Sequence, residues 1–407
     1  MINKTNIIHG LSWMGALRIG AKAFAFVKTL ILARILSPLQ FGIFGIASLV
    51  LGFLEIITET GINVVLIQEK DGLEKHISSS WIVSIIRGIF LSLIIFLLAP
   101  LISKFFNNPS AIKILYLTAF VPLIRGFINP AEVKFQKNLN FKKEFIFKGI
   151  LISVEAITAI LLGFLTKSEF SLIWGLITGA LAEVFISLFF ISPKPKFIFH
   201  LESFKFIIKK GVWITFAGVF NYIFQHGDDL VVGKVLGVYP LGLYQQAYRI
   251  SSLPVSEMGE IFSKVTFPYY SKYKKDLKNL KSVFLKTFLG TCALVIPFGI
   301  LIFLFPYQTV NILLGKNWLD TVGVLQILAI FGILKALTNS VFPLFLGVGK
   351  QNWVTWITLV GILGLGLTIF PLTNKFGIRG TALSTILGTI VTIPMSMYWT
   401  IKILKQK

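Results

Sequence analysis

Residues 32–47 read LARILSPLQFGIFGIA, and residues 232–247 read VGKVLGVYPLGLYQQA. An offset of 200 positions lines the two up without a gap. Leu36, Gly42 and Ala47 then meet Leu236, Gly242 and Ala247, Arg34 meets Lys234, and Phe44 meets Tyr244. The match runs back through Leu30 and Leu230, Phe24 and Phe224, to Trp13 and Trp213. Each copy reads as the turn between a first and a second apolar helix. Apolar segments match by chance often, so the weight rests on the ungapped stretch through Gly42 and Gly242.

Composition says what kind of helices these are. The chain has 407 residues, 55% hydrophobic and 14% charged, with a mean hydropathy of +0.82. A soluble domain carries about 25% charged residues, so there are too few charges here to wet the surface of a soluble enzyme. A disordered or collagen-like chain is excluded too, because Gly and Pro are modest and aperiodic. A bilayer crossing needs about 17–25 apolar residues, and twelve such runs can be counted, near 10–33, 40–63, 80–103, 110–130, 146–166, 170–192, 207–230, 240–268, 283–305, 320–347, 352–372 and 378–401. They are long and lack period-two alternation, which predicts helices and not strands. The first run keeps Arg18, Lys22 and Lys28 and ends in no small-residue cleavage site, so it reads as a transmembrane helix, not a signal peptide. The expected fold is an all-α integral membrane protein of twelve transmembrane helices.

Twelve helices put both termini on one side, and the basic residues say which. Of 39 Lys and Arg, 23 fall in loops on the side of the termini, 8 in loops on the other side and 8 within helices. This asymmetry predicts that both termini are cytoplasmic. It also accounts for most of the net charge of +22 as topology signals and contacts to anionic membrane lipids, with no nucleic acid as partner. Helices one and seven then run in the same direction. That implies two six-helix lobes related by a pseudo-two-fold along the membrane normal: an N-lobe at 1–192, a basic cytoplasmic linker at 193–206 and a C-lobe at 207–407. Two parallel lobes facing a shared cavity form a transporter architecture.

The repeated segments carry a family resemblance. ARILSPLQFGIFGIA (33–47), GINVVLIQEKD (61–71) and DDLVVGKVLGVYPLGLYQQAYRISSLP (228–254), followed by TFPYYSKY (266–273), resemble the polysaccharide transporters of the multidrug/oligosaccharidyl-lipid/polysaccharide exporter superfamily. The similarity is greatest to the O-antigen and teichuronic-acid type of lipid-linked oligosaccharide flippase. It implies a polyprenyl-linked oligosaccharide as substrate, moved from the cytoplasmic to the outer leaflet of the cytoplasmic membrane for cell-surface polysaccharide biosynthesis.

Charges inside the helices supply the candidate site. A charged side chain at mid-bilayer costs about 2.5–3.5 kcal/mol on insertion scales, so such groups face a cavity or a partner. Arg18 and Lys22 share one face of helix one by their i, i+4 spacing, and Arg249 lies in the outer to middle part of helix eight. Together they are expected to grip the substrate phosphate, since guanidinium groups bind phosphate through paired hydrogen bonds. The competing reading is that they pair with helix acids and lock the bundle. Glu155 and Glu183, deep in helices five and six, are candidates for H+ or Na+ coupling, or else for salt bridges to Arg18 or Lys22. Lys28 and Asp228 occupy equivalent repeat positions near the outer ends of helices one and seven, where they could form an outer gate. Arg87, Arg125, Lys286 and Lys335 suit end snorkelling or ion pairing as well as substrate contact.

No Walker motif, catalytic triad or metal-ligand pattern stands out. The lone Cys292 and four scattered histidines offer none, so no cofactor, metal or enzymatic activity is expected. Two rivals are a cation/drug antiporter of the same superfamily, and a membrane oligosaccharide polymerase or transferase. The cations Arg18, Lys22 and Arg249 argue against the first. The absence of a large outer loop argues against the second.

Overall fold

A computed structural model describes residues 4–58, 66, 73–138, 140–198, 218–219, 222–223, 225–274 and 276–405; for 4–19, 73–75 and 253–265 it describes the backbone alone. Every regular element among the described residues is helical. The chain divides into two compact units, Met1–Gly227 and Asp228–Lys407. The first eleven residues of the run counted at 207–230, together with most of 193–206 and of the 61–71 motif, lie outside the described residues.

The first unit opens with α1 (Lys4–Ile35) and α2 (Pro38–Ile57). The corner between them is built locally. Ser37 caps α2 by accepting from the Gln40 backbone N–H, while the Gln40 side chain accepts from the Ser37 N–H at 2.8 Å. Pro38 sits in the first turn, where its missing N–H costs nothing. There follow α3 (Leu73–Phe105), α4 (Ala111–Thr118), α5 (Phe120–Arg125), a 3-10 turn at Pro130–Val133, α6 (Lys134–Lys137), α7 (Phe141–Thr166) and α8 (Phe170–Phe190). Small residues let these helices approach closely, as helices do where lipid offers no hydrophobic drive between them. A Cβ on Gly175 would meet the Glu155 carbonyl oxygen at 2.7 Å, and one on Gly88 would meet the Pro122 carbonyl oxygen at 2.5 Å. Between Arg125 and Pro130 the path bends by 68°. Buried Asn129 holds that bend: its side-chain N–H groups donate to the carbonyls of Ser187, Ile191 and Pro193, and its backbone N–H donates to Ser187 Oγ.

The second unit repeats the corner by other means. Residues 231–235 are helical, 236–237 break, and α9 (Val238–Lys272) begins at the position equivalent to Pro38. Gly237 takes φ 94° to make the turn, a conformation open to glycine without penalty. Burial follows the same order in both corners. Positions 33, 38, 41, 42 and 47 are buried and 34 and 39 exposed, and each partner 200 residues on matches. Next come α10 (Leu277–Leu304), α11 (Pro306–Leu313), a 3-10 turn at Lys316–Thr321, α12 (Val322–Asn339), α13 (Phe342–Gly347), α14 (Gln351–Ile390) and α15 (Ile393–Lys405). A core of Tyr270, Leu280, Phe284, Leu344, Phe345, Ile357 and Ile403 ties α9, α10, α13, α14 and α15 together. Within α14 the backbone leaves helical geometry at Gly377 (φ 60°) and folds back on itself. The Thr373 and Thr381 hydroxyls meet at 2.8 Å across the turn. A Cβ on Gly380 would collide with the Leu372 carbonyl oxygen, and one on Gly388 would lie 3.1 Å from that of Gly361.

The outward surface is apolar. Ile86, Phe90, Leu93, Leu97 and Leu101 form an exposed stripe along α3, and Leu359, Leu363, Leu367 and Phe370 form another along α14. Contiguous stripes of this length do not face water, so the protein is embedded in a membrane and crosses it repeatedly. Seven described helices are long and apolar enough to span, or eight if the bent pair Ala111–Arg125 and Pro130–Lys137 counts as one span. Helices α1 and α9, of 32 and 35 residues, extend about 48 and 52 Å. They fall outside that count because charges interrupt their apolar runs: Arg18, Lys22 and Lys28 on one, and Arg249, Glu257, Glu260 and Lys264 on the other.

Candidate functional site

In the first unit the helix acids and cations are joined in pairs. Lys28 Nζ lies 2.5 Å from Glu155 Oε1, linking α1 to α7, with both side chains mostly buried. The Gln40 side chain donates to the Lys167 carbonyl at 2.7 Å. Along α1 and α7 the contacts advance together, from Lys28 and Glu155 to Leu32, whose side chain lies 2.7 Å from where a Cβ on Gly163 would stand, so the two helices run the same way. Glu183 on α8 accepts from Lys148 on α7 at 2.6 Å, and the same ammonium reaches Glu132 at 3.3 Å. Glu55 accepts from Arg125 at 2.9 Å, while Arg87 donates to the Glu55 carbonyl at 2.7 Å and to the Thr58 hydroxyl at 3.0 Å. Each arrangement gives a charged or polar group a partner that apolar surroundings would otherwise deny it.

The partners are not those anticipated. Glu155 and Glu183 are engaged by Lys28 and Lys148, where the sequence suggested Arg18 or Lys22. Lys22 is exposed on α1. Arg18 lies on the backbone-described part of α1, and its side chain falls outside the described residues.

In the second unit a polar cluster surrounds Asp228. This carboxylate is 4% exposed; it accepts from the Tyr244 hydroxyl at 2.7 Å and from the Asp229 N–H at 3.0 Å. Tyr248, one helical turn further along α9, packs its ring 6.2 Å from that of Tyr244. Its hydroxyl accepts from Lys335 Nζ at 2.6 Å. Arg249, next in sequence, is exposed and within electrostatic reach of Asp229. Lys28 and Asp228, the two gate candidates, thus have Glu155 and Tyr244 as their hydrogen-bond partners. At the start of α9, the Tyr239 hydroxyl donates to Asp320 at 2.7 Å.

Tyr244, Tyr248 and Lys148 are the residues the sequence reading passed over. Two tyrosines at i, i+4 directly before a helix arginine, in the helix after an Asp-Asp pair, were the available signal. Among the described residues, no group of three His, Cys, Asp or Glu side chains could hold a metal ion.

Two features, the repeated corners and charged helices in an apolar bundle, meet in one comparison: the family of polysaccharide biosynthesis proteins matches residues 31–323, a stretch that contains both corners. The chain belongs to that family. Among curated relatives, the lipopolysaccharide biosynthesis protein WzxC of Escherichia coli is 25% identical over 85% of this chain and 70% of its own. The succinoglycan biosynthesis transport protein ExoT of Rhizobium meliloti is 24% identical over 88% of this chain and 73% of its own. Among solved structures, the lipid II flippase MurJ in an inward closed conformation superposes with a TM-score of 0.75, at 18% identity, over 95% of this chain and 88% of that one. The family thus brings with it the fold of a known flippase.

Proposed function

We propose that the protein is a flippase that carries a polyprenyl-linked oligosaccharide across the cytoplasmic membrane by alternating access, in cell-surface polysaccharide biosynthesis. The observation that carries this reading is the family match across both corners, on a fold shared with a lipid II flippase. The protein acts as a transporter and not as an enzyme.

The finer architecture belongs to the same proposal. Twelve helices form two six-helix lobes, 1–192 and 207–407, joined by 193–206, with a pseudo-two-fold along the membrane normal. Support comes from the twin corners, with their matching breaks and burial, and from the turn at Gly377, which separates the two last runs counted in the sequence. Both termini are cytoplasmic in this reading, which the distribution of loop cations supports.

In this mechanism Arg18, Lys22 and Arg249 hold the substrate's phosphate while the lipid tail stays in the bilayer. The exposure of Lys22 and Arg249 on helices of membrane-crossing length supports this. Glu155 and Glu183 couple the cycle to H+ or Na+: each is held by a lysine, and an ion that displaces the lysine alters the packing of α7 against α1 or α8. Lys28 released from Glu155 becomes able to meet Asp228 and close the outer side.

The test is a reconstituted flipping assay. Proteoliposomes containing a fluorescent polyprenyl-pyrophosphate saccharide compare wild type with Arg18→Ala, Arg249→Ala and the double variant. The expected result is flipping by wild type and its loss, with the fold intact, in the variants. Absence of flipping together with efflux of an organic cation would assign the protein to drug antiport.

A further inference from the structure

One end of the C-terminal unit gathers positive charge against a single acid. The core around Tyr270, Leu280, Phe345, Ile357 and Ile403 brings together the end of α9, the start of α10, the α13–α14 turn and the end of α15. Lys272, Lys278, Lys281, Lys350, Lys402 and Lys405 stand on these helix ends, and all are exposed. Across 266–286, 348–357 and 395–405 the chain holds one acid, Asp276, and its carboxylate is taken by Asn279. Among the described residues, none of these six lysines forms an ion pair. Two of them oppose the helix they sit on. Lys278 lies in the first turn of α10 and Lys350 is the cap residue of α14, at the positive ends of those helix dipoles. Such a surface repels itself unless anions meet it. Aromatic side chains rim it. Trp353 and Trp399 stack with centroids 4.9 Å apart, and the Lys350 ammonium lies 5.7 Å from the Trp353 centroid. Tyr269, Trp356 and Tyr398, within two turns of the same helix ends, are exposed. Tyrosine and tryptophan on the outside of an apolar bundle settle at the level of lipid headgroups.

We infer that this end of the unit is a docking surface for anionic phospholipid headgroups, and that lipid bound there holds the ends of α9, α10, α14 and α15 together. Charge complementarity and the aromatic rim point to this occupant: a lipid phosphate brings its negative charge at headgroup level, where the ammonium groups stand. The surface goes beyond the attraction that any basic loop feels for an anionic leaflet. Here lysines from four helix ends share one core and one missing counter-charge. Lys142 and Lys143 provide the contrast, exposed on α7 of the first unit and followed directly by Glu144. The inference is independent of the flippase reading, because it concerns what the protein binds from the bilayer and not what it moves.

The experiment measures the melting temperature of the full chain in neutral detergent, titrated with phosphatidylglycerol, phosphatidylcholine or inorganic phosphate. It compares wild type, the triple variant Lys278→Gln/Lys281→Gln/Lys402→Gln and, as a control, the double variant Lys142→Gln/Lys143→Gln. Wild type and the control should melt several degrees higher in phosphatidylglycerol than in phosphatidylcholine, because a ligand of the folded state stabilises it. The triple variant should lose most of that shift. Without anionic lipid it should melt no lower than wild type, since the changes relieve repulsion and break no ion pair. An equal loss of the shift in the control would reduce the effect to general attraction by basic loops. An equal response to inorganic phosphate would assign the surface to a free anion. No response of wild type to phosphatidylglycerol would leave the charge to an acidic soluble partner. Each of these three results overturns the inference.

Discussion

Lys28 and Glu155 hold α1 and α7 in parallel register through one ion pair, 127 positions apart in the chain and only 17% and 24% exposed. A pair so placed contributes little beyond the cost of burying it, yet breaking it strands the survivor. Lys28→Met should therefore destabilise the protein by about 2–4 kcal/mol, and Glu155→Gln by a comparable amount. The double variant should recover most of the loss, since neither charge remains. Thermal unfolding of the four proteins in detergent closes the cycle, and additive losses would show that the two side chains do not interact.

The hairpin within α14 makes a sharper prediction. Gly380→Ala drives a methyl group into the Leu372 carbonyl. Because backbone must move, the cost should reach about 3 kcal/mol and the yield of monodisperse protein should collapse. Gly366 lies on the same helix with nothing within 4 Å of a new Cβ. Gly366→Ala should be neutral or stabilising by up to about 1 kcal/mol. Size-exclusion profiles of the two variants side by side make the comparison.

Tyr244→Phe deletes the hydroxyl that donates to Asp228 while keeping the ring. Leaving a buried acceptor short of a donor costs about 1–3 kcal/mol. Combining it with Asp228→Asn should cost less than the sum of the single changes, as coupled partners require. Strict additivity in thermal melts would count against the contact.

Outside the membrane, Asp276 caps α10. Its carboxylate accepts from the Asn279 backbone N–H at 3.1 Å and from the Asn279 side chain at 2.6 Å. The first of these contacts is the larger cause of a pKa held below the usual carboxylate range. A carboxylate lowered on folding contributes stability that is fully present above its unfolded pKa and lost as pH falls through the folded one. Acidification through and below pH of about 4 should therefore loosen the start of α10. Hydrogen exchange at residues 277–280 should rise there in wild type and stay flat with pH in Asp276→Asn, after correction for intrinsic exchange. Equal pH dependence in both would remove Asp276 as the cause.

Much of this was legible in the sequence for a physical reason. Leu36, Gly42 and Ala47 recur at an offset of 200, so the two corners could be matched from the sequence, although Ser37, Pro38 and Gln40, which build the first cap through contacts within four residues, have no counterparts at 237, 238 and 240. In-helix charges were likewise conspicuous, because lysine and glutamate among Leu, Ile and Phe need an explanation. Their partners were not legible: nothing local brings Lys28 to Glu155 or Lys148 to Glu183. Lys148 in particular sits at the edge of the apolar run counted from about 146, whereas α7 starts at Phe141 behind an Asn140 cap and carries Lys148 two turns into the helix. Tyr244 and Tyr248 look like ordinary bundle aromatics until Asp228 and Lys335 are seen at their hydroxyls.

The twin corners reach the same bend with unequal security. At the first, a hydroxyl does the work, and Ser37 could give way to Asn, Asp or even Gly for a few tenths of a kcal/mol. At the second, no atom of the described residues lies within 4 Å of where a Cβ on Gly237 would stand, so the first carbon of a side chain would meet none of them. The obstacle is the backbone itself, and any side chain there would be strained by about 1–2 kcal/mol. Random change would thus be forgiven in one copy and purged in the other, and two segments that began alike would drift apart at different speeds.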